Sequence, residues 1–350
     1  MNISVIGTGS FGTSLSMVLN DNDNRVMMYG RNQDTVLEIN EAHTNSRYLK
    51  DIDLAEGIKA TASLEEAAAH AELLVLAVPV NAMRAVATEL NGLLKKLDKK
   101  VLVVHVAKGL ELDTYQRMSQ VLEEVFDEDR VTDICVLSGP SHAEEVAVRQ
   151  PTTVSAASIR ETGAKVIQDA FMTDYFRVYV NNDMVGVEIG GALKNIVALA
   201  VGALAGYGFG DNPKAAVITR GLHEIARLGT KLGANPLTFL GLTGMGDLIV
   251  TATSQHSRNY RCGQMLAGGM SLEEATEKMG MVVEGVNTTR ATYELAEQYD
   301  VDMPITKVLY GYLFNGISED EAFSALMKRE KTSESEGLKQ LLESQIKNSK

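Results

Sequence analysis

Cysteine is nearly absent from this chain of 350 residues, which contains only Cys135 and Cys262. The two cysteines are isolated and form no CxxC pair, so the sequence indicates neither a disulfide framework nor a cysteine zinc site and favours a reducing compartment. The six histidines show no HxxH or HExxH spacing. We therefore expect no metal in this protein.

Basic residues are too few to balance the acidic ones, because 33 Lys and Arg face 46 Asp and Glu and give a formal net charge of -13. A chain this acidic is a poor general binder of nucleic acid or of anionic membranes. We expect neither as a partner. The net charge does not exclude a local basic pocket for a phosphorylated substrate.

The sequence also lacks a long apolar run. The longest such stretch, from Ile196 to Gly206, has only about eleven residues, whereas a membrane span needs about 20. We therefore predict a buried helix there. A strand-like segment begins at Ile3 and leaves no room for a signal peptide, so we expect a cytoplasmic protein.

The first half of the chain alternates short β-rich runs with segments of helical spacing, which predicts βαβ units and a parallel sheet covered by helices on both faces. From Val185 onward helical patterns dominate. We predict an α/β Rossmann dinucleotide-binding domain over 1–184, an all-helical substrate domain over 185–331 and a polar tail over 332–350, with a terminal helix from Leu338. The predicted strands are Ile3–Ile6, Arg25–Tyr29, Leu73–Val78, Val101–Val106, Ile134–Leu137, Thr152–Ala156 and Phe176–Val180.

A glycine-rich motif, GTGSFG at Gly7–Gly12, follows the first predicted strand and opens a helix. Gly7 permits the tight turn, Gly9 lets a pyrophosphate approach the backbone, and Gly12 lets helix and strand pack closely. The helix N-terminus adds amide groups and a positive dipole. This context predicts a dinucleotide site.

The end of the second predicted strand bears on the choice of cofactor. An NAD-selective site would usually place Asp or Glu near Gly30, but Arg31 and Asn32 follow instead. Because an arginine can pair with a 2′-phosphate, we expect NADP to be accepted as well as NAD. The alternative is that Arg31 is a solvated loop residue.

Polar residues in three segments point to chemistry. Lys108 follows a buried strand, where open α/β sheets bind ligands, although it could equally be a lysine that leaves the sheet for water. Ser138-Gly139-Pro140-Ser141 is a small-residue turn that could approach a ligand or be an ordinary turn. Lys194 lies on an otherwise apolar helix, where desolvation lowers the pKa of a lysine and suits it to proton transfer.

Two further groups complete the candidate site. Asp247 is a candidate partner for Lys194, although the sequence does not place them together. Ser257-Arg258-Asn259 offers a guanidinium and an amide suited to a phosphate. The alternative for this tripeptide is a helix N-cap followed by an exposed arginine.

From Met1 to about Lys331 the chain resembles the bacterial NAD(P)-dependent glycerol-3-phosphate dehydrogenases. The motifs that carry the resemblance are GTGSFG at Gly7–Gly12, AKGLE at Ala107–Glu111, SGPSHAEE at Ser138–Glu145, GVEIGGALKNIVALAVG at Gly186–Gly202, TRGLHEIARLG at Thr219–Gly229, GLTGMGDLIVT at Gly241–Thr251, SRN at Ser257–Asn259 and VVEG at Val282–Gly285. Phe11 stands where Trp or Tyr is usual and Ser141 where Thr is common, and neither change removes a proton-transfer or phosphate-binding group.

The resemblance implies that the enzyme interconverts dihydroxyacetone phosphate and sn-glycerol 3-phosphate with NAD or NADP, supplies glycerophospholipid synthesis and forms a homodimer. It implies that Lys194 is the proton donor and acceptor, and that Lys108 contacts both substrate and cofactor. Substrate would also be bound by Gly139, Ser141, Asp247, Ser257, Arg258 and Asn259. The cofactor would be lined by Gly7, Gly9, Ser10, Phe11, Gly12, Arg31, Asn32, Tyr48, Ala143, Arg258, Val282 and Glu284.

Two other functions compete with this hypothesis. Another two-domain Rossmann reductase, acting on a 3-hydroxy acid or ketopantoate, would not predict SRN after GMGD. A non-catalytic dinucleotide sensor would need neither a lysine on an apolar helix nor a second phosphate site.

Overall fold

The computed structural model describes residues 1–280, 282–331 and 333–334, and these form two compact units. The first unit contains Met1–Ala107 and Met118–Met184. The second contains Lys108–Arg117 and the described residues from Val185 onward. The segment Lys108–Arg117, which the sequence analysis places in the first domain, therefore packs with the second. The predicted tail over 332–350, with its terminal helix, lies outside the described residues except for 333–334.

The first unit is built on an eight-stranded sheet with the strand order β10-β9-β8-β7-β6-β1-β2-β5, and β3 and β4 pair separately. All neighbours in the large sheet run parallel except β8 and β9. The strands are β1 (Asn2–Ile6), β2 (Arg25–Tyr29), β3 (Thr44–Asn45), β4 (Leu49–Asp53), β5 (Lys59–Thr61), β6 (Leu73–Leu76), β7 (Val101–His105), β8 (Val131–Ser138), β9 (Thr152–Ser158) and β10 (Phe176–Asn181).

Both faces of this sheet are covered, which explains why its central strands are continuously apolar. Leu73 and Val75 of β6 join one buried cluster, while Leu74 and Leu76 join another on the opposite face. The helices that supply the covers are α1 (Ser10–Asp21), α2 (Gln33–Glu41), α3 (Leu64–His70), α4 (Val80–Lys96), α5 (Met118–Val125), α6 (Ala143–Ala147) and α7 (Glu161–Phe171).

In the second unit the secondary-structure elements of the described residues are helical. They are α8 (Met184–Gly206, of which Met184 belongs to the first unit), α9 (Asp211–Lys231), a 3-10 segment (Pro236–Leu240), a π-helical segment (Leu242–Gly246), α10 (Asp247–Thr253), α11 (Arg258–Ala267), α12 (Leu272–Met279), α13 (Glu284–Tyr299), α14 (Pro304–Phe314) and α15 (Glu319–Met327).

Helix α8 is the central element of this unit. It has 23 residues, with a mean hydropathy of 1.6 over its most apolar window, and by length and composition alone it could cross a membrane. However, 72% of that window is buried inside the protein, as in the core helix of a soluble protein. Residues from Ile189 to Val201 contribute to the buried cluster of the unit.

The structure differs from the sequence prediction at the sheet. Strands β3, β4 and β5 were not predicted, and they are short segments rich in polar residues, with no apolar run. The predicted parallel sheet is mixed, because β8 and β9 pair antiparallel through Cys135–Ser158 and Ser138–Ser155. Strand direction follows from the connection between the strands, and the composition of each strand does not encode it.

Candidate active site

The turn between β1 and α1 has the geometry of a dinucleotide loop. Gly7 has a φ of 122°, and a Cβ there would lie 2.5 Å from the carbonyl oxygen of Ala77. A Cβ on Gly12 would lie 2.3 Å from the carbonyl oxygen of Gly7, whereas one on Gly9 would meet nothing within 4 Å. The turn therefore packs tightly on the protein side at Gly7 and Gly12 and is open at Gly9. This combination fits a pyrophosphate above the N-terminus of α1.

A buried amide that the sequence analysis missed braces this loop. The Asn45 side chain, fully buried, donates to the carbonyl oxygen of Thr8 at 2.9 Å and to Thr13 Oγ1 at 2.8 Å. Nearby, Ser10 Oγ donates to the carbonyl oxygen of Tyr48 at 2.8 Å. The segment that contains Asn45 and Tyr48 thus holds the glycine-rich turn. No sequence pattern marks this contact, because Asn45 lies in a short polar stretch far from the motif.

The other predicted cofactor residues of the first unit lie on loops and helix starts. Arg31 is exposed just after β2, and Asn32 caps α2 by accepting a hydrogen bond from the Thr35 amide at 2.9 Å. Phe11 is half-buried in the first turn of α1. Ala143 begins α6, and its carbonyl oxygen accepts a hydrogen bond from Ser14 Oγ of α1 at 2.8 Å. This bond ties the start of α6 to the helix that follows the glycine-rich turn.

The predicted substrate residues of the first unit form the turn after β8. Gly139 has a φ of 148°, and a Cβ there would lie 2.9 Å from the Val154 Cα. Ser141 Oγ donates to the carbonyl oxygen of Gly139 at 2.9 Å. The turn therefore requires glycine at its first position, and the serine hydroxyl stabilises it from within.

In the second unit, two lysines that the sequence indicated bind the carboxylate of a third predicted residue, Asp247. Lys108 Nζ lies 2.6 Å from Asp247 Oδ2, and Lys194 Nζ donates to the other oxygen, Oδ1. The Lys194 and Asp247 side chains are 6% and 1% exposed, and that of Lys108 is 17% exposed. A Cβ on Gly190 would lie 2.6 Å from the Thr243 carbonyl oxygen, so a glycine lets α8 approach the π-helical segment that precedes Asp247.

The burial of this cluster perturbs its ionisation. Desolvation lowers the pKa of Lys194 to about 7, and the positive charge of Lys108 acts in the same direction, while the Asp247 carboxylate opposes both. Burial alone would raise the pKa of Asp247, but the two ammonium groups outweigh it and hold that pKa below its ordinary value. The cluster therefore pairs an ionised carboxylate with an amine that titrates near neutral pH. Such an amine can donate or accept a proton at physiological pH.

Sequence reasoning missed two partners of this cluster, Thr251 and Asn195. Lys194 Nζ donates to Thr251 Oγ1 at 2.7 Å. Thr251 lies four residues after Asp247 on α10, so the helical period could have placed both on one face. Asn195 Nδ2 donates to the carbonyl oxygen of Lys108 at 3.2 Å, which ties the backbone at Lys108 to α8.

The predicted phosphate-binding tripeptide forms the start of α11. Ser257 is the N-cap and accepts a hydrogen bond from the Tyr260 amide at 3.2 Å, as in the alternative that the sequence left open. Arg258 is half-buried, and one guanidinium nitrogen donates to the carbonyl oxygen of Val282 at 2.9 Å. Arg258 therefore contacts the VVEG segment, and helix α13 begins within that segment at Glu284.

The buried Asn259 side chain forms hydrogen bonds with two other amide groups. Its Nδ2 donates to Asn195 Oδ1 at 2.9 Å, and its Oδ1 accepts a hydrogen bond from the Gly285 amide at 2.8 Å. Both ends of this amide therefore contact protein groups. Within residues 1–280, 282–331 and 333–334, no three His, Cys, Asp or Glu side chains are grouped so that they could hold a metal ion.

Comparisons with known proteins agree with these features. A family model described as the N-terminus of NAD-dependent glycerol-3-phosphate dehydrogenase matches residues 2–164, and one described as the C-terminus matches residues 183–324. A protein of Macrococcus caseolyticus named glycerol-3-phosphate dehydrogenase (NAD(P)+) is 54% identical over 95% of this chain and 100% of its own length. The protein of that name from Bacillus subtilis is 52% identical over 99% of both chains.

Among solved structures, the glycerol-3-phosphate dehydrogenase of Coxiella burnetii superposes with a TM-score of 0.87 at 34% identity, covering 93% of this chain and 98% of that one. The resemblance stated from the motifs and the predicted fold class are thereby confirmed. The chain belongs to the NAD-dependent glycerol-3-phosphate dehydrogenase family.

Proposed function

We propose that this protein catalyses the reversible reduction of dihydroxyacetone phosphate to sn-glycerol 3-phosphate, with NADH or NADPH as the cofactor and Lys194 as the proton donor. The observation that carries the proposal is the buried Lys194, which is bonded to Asp247 and whose pKa of about 7 suits proton exchange in both directions. Membership of the family supplies the substrate, because the relatives carry that activity in their names.

The first unit would hold the dinucleotide. Its pyrophosphate would lie over Gly9, where the backbone is open, and would accept hydrogen bonds from the amides at the start of α1. When bound, the reduced nicotinamide supplies the hydride that reduces the ketone. Arg31 is exposed after β2 and free to meet a 2′-phosphate, whereas the Asn32 side chain is committed to capping α2. Tyr48, Phe11 and Ala143 remain further candidates for lining the cofactor.

Lys194 would act at the C2 oxygen of the substrate. In the direction of reduction its ammonium group donates a proton to the developing alkoxide, and in the direction of oxidation its neutral amine accepts the proton of the hydroxyl. Asp247 fixes the position of Lys194, and the Lys108 ammonium contributes a second positive charge that stabilises the negative oxygen. Val282 and Glu284 are candidates for contacts to the cofactor from the second unit, together with Lys108 and Arg258.

The substrate phosphate would be bound at the start of α11. Arg258 supplies a guanidinium group, and the first amides of this ten-residue helix, which Ser257 caps, supply further donors. Because both ends of the Asn259 side-chain amide contact protein groups, we assign its contribution to the backbone amide. Gly139 and Ser141 would contribute substrate contacts from the first unit.

The remaining properties follow from composition and family. The net charge of -13 argues against nucleic acid and anionic membranes as partners. We propose a cytoplasmic enzyme, acting as a homodimer, that supplies glycerol 3-phosphate for glycerophospholipid synthesis.

A spectrophotometric assay tests the proposal. Purified protein should oxidise NADH and NADPH when dihydroxyacetone phosphate is added, and should be nearly inactive with unphosphorylated dihydroxyacetone or with ketopantoate. Lys194→Met should lower kcat by roughly 10²–10⁴, the range expected for loss of a general acid, while the Kd of the dinucleotide changes little. Turnover of ketopantoate instead would identify another reductase. Dinucleotide binding without turnover of any ketone would identify a sensor.

A further inference from the structure

The segment Lys108–Arg117 is a closed loop that belongs to the helical unit. Its two ends are adjacent, because Leu110 and Arg117 form an isolated antiparallel bridge and the Glu111 amide donates to the carbonyl oxygen of Gln116 at 3.0 Å. Leu110 is 2% exposed and lies in the buried cluster of that unit. Leu110 thus anchors the loop that begins with Lys108 in the same hydrophobic core that contains α8.

A buried ion pair fixes the far end of this loop. Arg117 NH1 lies 2.5 Å from Glu188 Oε2, and the two side chains are 17% and 4% exposed. Glu188 lies on α8, six residues before Lys194. A carboxylate this deeply buried is costly to desolvate unless a cation pairs with it, so loss of Arg117 would remove the cation that the structure pairs with Glu188. Packing alone does not require a charged residue at either position.

The near end of the loop is tied to the same helix. The carbonyl oxygen of Lys108 accepts a hydrogen bond from Asn195, the residue after Lys194. Helix α8 therefore contacts the loop at both ends, through Asn195 and through Glu188, and carries Lys194 between them. Because a helix is rigid over such a short span, α8 fixes the position of Lys108 relative to that of Lys194.

We propose that Arg117 and Glu188 form a positioning pair for the proton-transfer site, which holds the loop so that Lys108 Nζ reaches Asp247 beside Lys194. Neither residue contacts the Lys194 ammonium group or Asp247 in the structure, so both act through Lys108. The inference rests on the proposed roles of Lys194 and Lys108. The charged groups that act on Lys194 are Asp247 from α10 and Lys108 from the loop. Displacement of Lys108 therefore removes a positive charge that disfavours the protonated form of Lys194.

Glu188→Gln tests the pair with a side chain of nearly the same size. Because small displacements of catalytic groups are costly, we expect kcat for dihydroxyacetone phosphate to fall by at least about tenfold. The high-pH limb of the kcat profile should move upward by about 0.5–1 pH unit, since Lys194 would bind its proton more tightly. The Kd of NADPH should change much less than kcat, because most of the proposed cofactor contacts, the glycine-rich turn among them, lie in the other unit. Arg117→Lys, which keeps the charge, should retain more activity than Arg117→Met.

Glu224→Gln is the matched control for lost stability. Glu224 is also a buried carboxylate of the helical unit, but it accepts hydrogen bonds from the Ile305 and Thr306 amides at the start of α14. We expect this variant to lower Tm without moving the pH profile. If Glu188→Gln lowers Tm but leaves both kcat and the pH limb at wild-type values, the pair is merely structural and the proposal is overturned. If Glu188→Gln does not fold, an unchanged pH limb in both Arg117 variants has the same meaning. Absence of ketone reduction by the wild type would instead refute the proposed function.

Discussion

Removing the charge of Lys108 should change the pH at which Lys194 titrates. Both ammonium groups bind the Asp247 carboxylate, one on each oxygen, and their repulsion disfavours the protonated form of Lys194. In Lys108→Met this repulsion is lost while Asp247 remains. The pKa of Lys194 should therefore rise.

Coulomb's law gives the size of the effect. Two unit charges about 5 Å apart repel by about 3 kcal/mol at an effective dielectric constant of about 20. This energy corresponds to about two pH units. Solvent reaches Lys108, whose side chain is 17% exposed, and screening reduces the effect. We therefore expect the pKa of Lys194 to rise from about 7 to about 8.

The assay is kcat against pH at saturating substrate and cofactor, from about pH 6 to about pH 9. Ketone reduction needs protonated Lys194, so the wild-type rate should fall about tenfold per pH unit above about pH 7, and the variant rate should fall only above about pH 8. Oxidation of the alcohol needs the neutral amine, and its rising limb should move by the same amount. Lys307→Met, which removes an exposed lysine of the same unit, should leave both limbs in place. A limb that stays at the wild-type pH or moves downward in Lys108→Met would refute the electrostatic coupling.

Three other variants test separate parts of the protein. Arg258→Ala should lower kcat/KM for dihydroxyacetone phosphate by at least about tenfold and should weaken NADPH binding much less, because a charge-assisted bond to phosphate is worth roughly 1.5–3 kcal/mol; an equal loss for both would mean that Arg258 only supports the loop at Val282. Arg31→Ala should raise KM for NADPH about tenfold but keep KM for NADH within about threefold, most clearly at low salt because Arg31 is exposed; equal effects would remove its 2′-phosphate role. Urea unfolding of the wild type should show stability that rises between about pH 7 and pH 10, where the unfolded chain binds a proton that buried Lys194 has lost, and Lys194→Met should flatten this rise; an equal rise in both would show that Lys194 is not the source.

The parts of the fold that the sequence predicted are those in which one local pattern permits one structure. Strands β6 and β7 are nearly continuous apolar runs, and β1 and β2 are short and mostly apolar. The motif GTGSFG between a strand and a helix has few alternatives to a dinucleotide turn. Strands β3, β4 and β5 escaped prediction because they are short and partly exposed. Strand β3 contains Asn45 and the turn between β3 and β4 contains Tyr48, and their contacts with the glycine-rich turn depend on tertiary packing alone.

The sequence indicated Lys108, Lys194 and Asp247 as candidates and Asp247 as a candidate partner of Lys194, but it did not indicate that both lysines bind the same carboxylate. Lys194 was conspicuous on an apolar helix, yet its pairing with Asp247 joins positions 53 residues apart in the sequence, and the approach of α8 to the π-helical segment decides it. The assignment of Lys108–Arg117 to the first domain followed chain continuity, whereas the burial of Leu110 joins the loop to the second unit. The sequence indicated Asn259 as a phosphate ligand, and in the structure its buried side chain donates a hydrogen bond to Asn195.

The arrangement of two lysines on one carboxylate explains how a buried site can exchange a proton. Asp247 stays ionised over the range in which Lys194 titrates, because its pKa is held low while that of Lys194 is near 7. With Lys108 protonated, the cluster therefore carries a net charge of +1 before proton donation and 0 after it. The excess positive charge is present when an alkoxide develops next to the site and disappears with the proton that neutralises it. Each ammonium group is paired with the Asp247 carboxylate before the proton is donated, whereas a single buried lysine with no carboxylate would carry its charge unpaired. A loop that keeps Lys108 next to Asp247 would therefore support this chemistry, with Lys194 as the group that transfers the proton.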